Sequence, residues 1–121
     1  MLVNGRWTED WQPVQATDAR GGFVRQTSRF RSWVTPDGAP GPTGEGGFPA
    51  EAGRYRLYVA LICPWASRAL IGRALKGLVA AIEAVVVEPE LGAQGWRFGT
   101  GAPRGLAPCA DPELGATWMH E

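Results

Sequence analysis

Apolar residues recur with a sustained period in one part of this chain, residues 54–89, and everything else must be built around that stretch. "RYRLYVALI" (54–62) alternates and is rich in Tyr, Val, Leu and Ile, the pattern of a strand buried on both faces towards its end. From Pro64 to about Lys76, and on to Leu78, the residues Leu70, Ile71, Ala74, Leu75 and Leu78 fall three and four apart. That spacing predicts a helix with one apolar stripe. Pro64 suits the first helical position, where a fixed φ helps and an N–H is not needed. Arg73 and Lys76 suit the negative end of the helix dipole, and Gly77 supplies the stop. "AAIEAVVVEP" (80–89) is a second apolar run, expected to end at Pro89. Strand, helix and strand joined by short links make a right-handed βαβ unit, so the expected ordered core runs from about residue 54 to 88.

The flanks read differently. Seventeen glycines and ten prolines in 121 residues require much of the chain to be loop. Residues 1–20 carry Trp7 and Trp11 without a period and read as an irregular arm. In "GGFVRQTSRFRSWV" (21–34), Arg25, Arg29 and Arg31 interleave with Phe23, Phe30 and Trp33. Such interleaving suits single-stranded nucleic acid, but in one short stretch of a neutral chain an arm docked on the domain is the better reading. Residues 35–53 are turn-dense, with Pro36-Asp37-Gly38 as a turn. Beyond Pro89 the pattern fades. Only "DPELGATWMHE" (111–121) reads as a helix start, with Asp111 capping, Pro112 at the first position and Glu113 in the first turn. The division is therefore an extension with a Gly/Pro-rich loop over 1–53 and one domain over 54–121.

Several function classes are disfavoured. A formal net charge of zero gives no global attraction to nucleic acid or to an anionic membrane. No apolar run approaches the ~20 residues of a membrane span. "MLVNGRWTEDW" lacks the basic start and apolar core of a signal peptide. With two cysteines, this points to a reducing, cytoplasmic setting and free thiols. A single histidine, His120, leaves too few ligands for a metal site.

Cys63 is the residue that chemistry singles out. It stands between the first strand and the helix, immediately before Pro64. A thiolate there faces the partial positive charge and unpaired N–H groups of the helix start, with Arg68 one turn on; both stabilise the nucleophilic form. The carboxyl end of a parallel strand is also where open α/β folds hold ligands. A buried cysteine acting as small apolar filler is the plain alternative. Position 66 is Ala, so a dithiol cycle at the helix start is unavailable. A one-cysteine site forms its mixed disulfide with an external thiol, which in the cytoplasm means glutathione.

"GGFPAEAGRYRLYVALICPWASRALIGRALKGL", followed by "AVVVEP" and "GWRF", resembles the glutathionyl-hydroquinone reductases, the xi class of glutathione transferases. "RQTSRFRSWVTPDG" looks like the same family's N-terminal extension, and the likeness covers residues 1 to about 98. It implies an α/β, thioredoxin-like N-terminal domain, here incomplete, that a helical domain follows in the family. It also implies homodimers, with glutathione and glutathionyl-hydroquinones as partners and no metal. The family's reaction removes glutathione from a glutathionyl-hydroquinone at the expense of a second glutathione. By this match Cys63 is the nucleophile, Trp96 contacts bound glutathione, and Pro64 and Trp65 belong to the binding motif. The role of Trp96 without the match is core packing.

Departures from the family pattern fall at three positions. Ser67, Arg56 and Glu88 stand where the family commonly has His. The resemblance further implies that the elements holding the γ-glutamyl end of glutathione come later than residue 121. Activity of the 121-residue chain is therefore expected to be weak or absent. A non-catalytic thioredoxin-like binding fragment and a truncated reading frame are the rival readings.

Overall fold

The computed structural model describes residues 2–3, 5–9, 16–24 and 30–121. Trp11, Arg25 and Arg29 lie outside these residues. In chain order the elements are β1 (Leu2–Val3), β2 (Arg6–Trp7), β3 (Ala16–Thr17), β4 (Phe23–Val24), β5 (Trp33–Thr35) and β6 (Gly47–Pro49), then β7 (Tyr55–Val59), α1 (Pro64–Leu75), β8 (Ile82–Gly92) and β9 (Gly95–Phe98). They fall into two compact units, residues 10–51 and residues 1–9 with 52–121.

In the unit of residues 10–51, β3 and β4 form an antiparallel pair. Their link is tightened by Asp18, whose carboxylate accepts the N–H groups of Arg20 and Gly22 at 2.8 Å each. β5 and β6 pair in parallel, so the turn-rich stretch after residue 35 contains a short strand as well as loop. The turn at Pro36-Asp37-Gly38 is present: Gly38 donates to the Thr35 carbonyl with φ +79°.

The larger unit holds the strand-helix-strand unit. β7 pairs in parallel with β8, from Tyr55 opposite Ile82 to Val59 opposite Val86. β9 then adds to the far side of β8, antiparallel, giving the order β7-β8-β9. The first strand ends earlier than its composition suggests. After Val59 the chain turns, the Cys63 N–H donating to the Ala60 carbonyl at 2.9 Å, and Leu61 and Ile62 stay exposed.

Pro89 does not end β8, which runs on to Gly92. The pairing with β9 is irregular between Val87 and Leu91, and Pro89 sits in that irregular stretch. A bulge tolerates a residue without an N–H. The core likewise extends past residue 88. Its cluster is Ala60, Val85, Val87, Phe98 and Cys109, so β9 and the segment after it supply part of the burial. Cys109 is anchored there by its N–H to the Val86 carbonyl at 2.9 Å.

α1 forms where the spacing predicts, and its end follows a Schellman pattern. Gly77, at φ +68°, donates to Ala74, and Leu78 donates to Arg73, satisfying carbonyls of the last turn. The face it turns inward differs from the expected stripe. The half-buried positions are Ala66, Ser67, Leu70 and Arg73, whereas Ile71 is 58% and Leu75 81% exposed. Arg73 explains part of the shift. Its guanidinium donates to the carbonyls of Ile82 at 2.6 Å and Val79 at 2.8 Å, turning that side of the helix towards the start of β8.

Residues 111–121 form turns rather than a helix. Asp111 still caps, but what it caps is a loop: its carboxylate accepts the N–H groups of Glu113, Leu114 and Ala116. The segment that follows lies along β9, with Phe98 donating to the Thr117 carbonyl and Met119 to that of Trp96.

Gly95 follows the two-residue link of the β8–β9 hairpin at φ +85°, and a Cβ there would stand 2.8 Å from the Trp7 ring. Gly95→Ala is expected to cost roughly 1–2 kcal/mol from the left-handed backbone, before any displacement of Trp7. Gly72→Ala has no atom within 4 Å of the new Cβ and lies inside α1, where Ala is expected to stabilise by about 0.4–1 kcal/mol. Paired urea denaturation curves check both; equal midpoints for the two variants would show that the turn geometry is not limiting.

Candidate functional site

The site is built at the junction that follows β7. Cys63 is the N-cap of α1, with extended backbone at φ −85°, ψ 118°, and Pro64 occupies the first helical position. The Cys63 side chain makes no capping hydrogen bond, and the first turn of α1 contains no acid. The Cys63 carbonyl accepts the Ser67 N–H at 3.1 Å and the Ser67 hydroxyl at 3.3 Å. Ser67, at the position where the resemblance expects His, thus spends its side chain on the backbone one turn back.

Cys63 is half-buried, and it packs against the cluster of Ala60, Val85, Val87, Phe98 and Cys109. Trp96, half-buried on β9, packs against the same cluster. The fold therefore gathers Cys63 and Trp96 around one apolar group although 33 residues separate them in the chain. Pro64 and Trp65 are not part of that gathering: both are exposed, Trp65 at 70%. Cys109 is a free thiol only 1% exposed, with the burial of an inert core cysteine.

A polar network on the same domain was not legible in the sequence. Tyr58 donates to Asp111 at 3.3 Å, and burial, followed by the negative charge of Asp111, pushes the Tyr58 phenol above its ordinary value. Arg56 sits directly opposite Glu83 in the β7–β8 register and bonds it at 2.6 Å. Its other side pairs with Glu113. The position where the family commonly has His is thus filled by a cation held between two carboxylates. Trp7 stacks on His120 at 4.2 Å between ring centroids, with Trp7 Nε1 and His120 Nε2 buried and unpartnered among the described residues. Strand alternation was the available signal for Arg56 and Glu83; nothing local announces Tyr58 with Asp111 or Trp7 with His120.

Among the described residues no cluster of His, Cys, Asp and Glu could hold a metal ion. No helix among them is long and apolar enough to cross a membrane.

No family model matches the chain, but individual proteins do. It is 51% identical over 102 residues to the glutathionyl-hydroquinone reductase YqjG of Escherichia coli, covering 84% of this chain and 30% of the relative. It is 38% identical over 98 residues to the glutathionyl-hydroquinone reductase PcpF of Sphingobium chlorophenolicum, covering 81% and 28%. Among solved structures, glutathione-bound YqjG from Escherichia coli aligns with a TM-score of 0.65 at 48% identity, over 75% of this chain and 29% of that one. The xi-class glutathione transferase from Natrialba magadii aligns with a TM-score of 0.68 at 37% identity, over 99% and 31%. The chain thus spans about 30% of the length of the curated relatives it matches. It belongs to the glutathionyl-hydroquinone reductase family, the xi class of glutathione transferases, and its mixed sheet with one helix is part of that family's thioredoxin-like amino-terminal domain.

Proposed function

We propose that Cys63 is the nucleophile of a glutathione-dependent reductive deglutathionylation of glutathionyl-hydroquinones, carried out in the cytoplasm. The observation that carries this reading is the position of Cys63: half-buried at the N-cap of α1, beyond the carboxyl end of β7, and packed with Trp96 around one cluster. Support comes from relatives named glutathionyl-hydroquinone reductases and from a related structure described as glutathione-bound.

In this scheme the Cys63 thiolate attacks the glutathione sulfur of the substrate. A sulfur–sulfur bond forms as the carbon–sulfur bond breaks; the electron pair goes to the ring carbon, which takes up a proton and leaves as hydroquinone. A second glutathione, as thiolate, then attacks the glutathionyl sulfur of the mixed disulfide. Glutathione disulfide departs and the Cys63 thiolate is restored. The ring carbon is reduced, and the substrate's glutathione sulfur and the thiol of the second glutathione are oxidised together to the disulfide, so the electrons balance within the cycle. Trp96 would contact bound glutathione, and exposed Pro64 and Trp65 would form the outer wall of its site.

The reading is tested by running the second step in reverse. Incubated with glutathione disulfide, the folded chain is expected to gain one glutathionyl group, mapped by peptide mass spectrometry to Cys63. Cys109 stays unmodified because solvent does not reach it, and Cys63→Ser gains nothing. Modification of Cys109 ahead of Cys63, or no adduct where free cysteine exchanges readily, would overturn the proposal.

A further inference from the structure

A cavity of about 680 Å³ lies at the other end of the sheet from Cys63. Gly53, Tyr55 and Arg56 line it from the start of β7, and Ala81, Glu83 and Ala84 from the start of β8. β7 rises roughly 13 Å from Tyr55 to Val59 at strand geometry, so the chemistry at Cys63 does not reach it. The volume falls within the few hundred to a thousand Å³ typical of small-molecule sites.

Its walls divide into an apolar body and a cationic part. Leu70 and Ala74 of α1, Val79 and Leu106 supply apolar surface. Three arginines also line it: Arg56, Arg73 and Arg104. Arg56 is neutralised by Glu83 and Glu113. Arg73 is not: its guanidinium is held by two backbone carbonyls, which fix its position without cancelling its charge. Arg104, on the exposed loop beside the cavity, has no side-chain partner among the described residues. Two cations therefore face a partly apolar cavity without a counter-charge, one of them rigidly placed. Two like charges lining one concave surface raise the local potential for an anion above that of either alone.

We infer that this cavity binds a small amphipathic anion, an aliphatic or aromatic chain bearing one carboxylate, with its head group between Arg73 and Arg104 and its tail along Leu70, Ala74 and Val79. Nothing in the cavity offers the thiol chemistry of the Cys63 site, so occupancy is independent of the proposed reaction.

The experiment titrates decanoate into the 121-residue protein and follows amide chemical shifts. Shifts are expected to centre on residues 53–56, 70–74 and 103–106. Arg104→Glu is expected to weaken decanoate binding about tenfold or more, the scale of losing a hydrogen bond to a charged group, while Arg104→Lys restores most of it. Decanol, with the same tail and no charge, is expected to bind more weakly than decanoate to the wild type and equally to wild type and Arg104→Glu. Glutathione is not expected to displace decanoate. Equal decanoate affinity in wild type and Arg104→Glu, decanol binding as tight as decanoate, or displacement by glutathione would each overturn the inference. None of these outcomes bears on whether Cys63 takes up a glutathionyl group.

Discussion

Purified as residues 1–121, the chain is expected to release hydroquinone from a glutathionyl-hydroquinone at least about a thousandfold more slowly than full-length Escherichia coli YqjG. The reason is positioning. A thiolate at a helix start reacts with any disulfide it meets, but turnover requires the glutathione sulfur to be aimed at Cys63 and the ring to be held while its bond breaks. Orienting two reactants is worth roughly 7–11 kcal/mol at best, and loss of about 4 kcal/mol already costs a thousandfold. In this chain the residues beside Cys63 that would wall the site are open to solvent: Pro64 is exposed, and Trp65 is 70% exposed. No residue of α1 is buried, and Ile71 and Leu75 point outward. The chain spans about 30% of the relative's length. The assay follows glutathione-dependent hydroquinone release at matched protein concentration. Turnover within tenfold of YqjG, abolished by Cys63→Ala, would show that residues 1–121 already position the substrate.

What the sequence made legible is local. The helix limits follow from Pro64, the three-and-four spacing and Gly77, each of which acts through its own few residues. Cys63 was legible for the same reason: its place at the strand–helix junction is a fact about neighbours in the chain. The strand order β7-β8 came from the short links and the handedness of the crossover. β9 was missed because "GWRF" is four residues long, and its stability comes from lying between β8 and the segment of residues 117–119.

The rest was hidden because it depends on partners far apart in sequence. The burial of Cys109 reflects a hydrogen bond to Val86 and packing on Phe98, and neither is encoded in "APCADP". Asp111 shows how a correct local signal can serve a different structure. It is a good cap, and it does collect backbone N–H groups, but a fourth interaction with Tyr58 holds it to the sheet and the chain makes turns. The inward face of α1 was misread for a related reason. An apolar stripe is a guide only when hydrophobic burial sets the helix orientation. Here Arg73 binds the carbonyls of Val79 and Ile82, leaving Leu75 in solvent.

Phe98→Ala is expected to remove most of the stability of the larger unit, about 3–5 kcal/mol, the range for truncating a buried Phe. Phe98 is 6% exposed and is the largest side chain in a cluster whose other buried members are Ala60, Val85, Val87 and Cys109. Removing its ring leaves a void in a cluster whose other buried members are all small, with half-buried Trp96 packed against it. Its edge-to-face contact with Tyr58 at 5.9 Å goes with it, and such pairs add about 0.5–1.5 kcal/mol beyond burial. The backbone of Phe98 also donates to Thr117, so the segment that brings Asp111 and Trp118 to the sheet loses its packing at the same point. Small domains have only about 5–15 kcal/mol to lose, and a core of this size places the chain towards the lower end. Urea denaturation followed by tryptophan fluorescence and far-ultraviolet circular dichroism measures the change. The comparison is Leu75→Ala, which truncates a large aliphatic side chain at an 81% exposed position and is expected to change stability by less than about 0.5 kcal/mol. A Phe98→Ala midpoint close to that of Leu75→Ala would mean that the cluster around Cys63 is not what holds the sheet together.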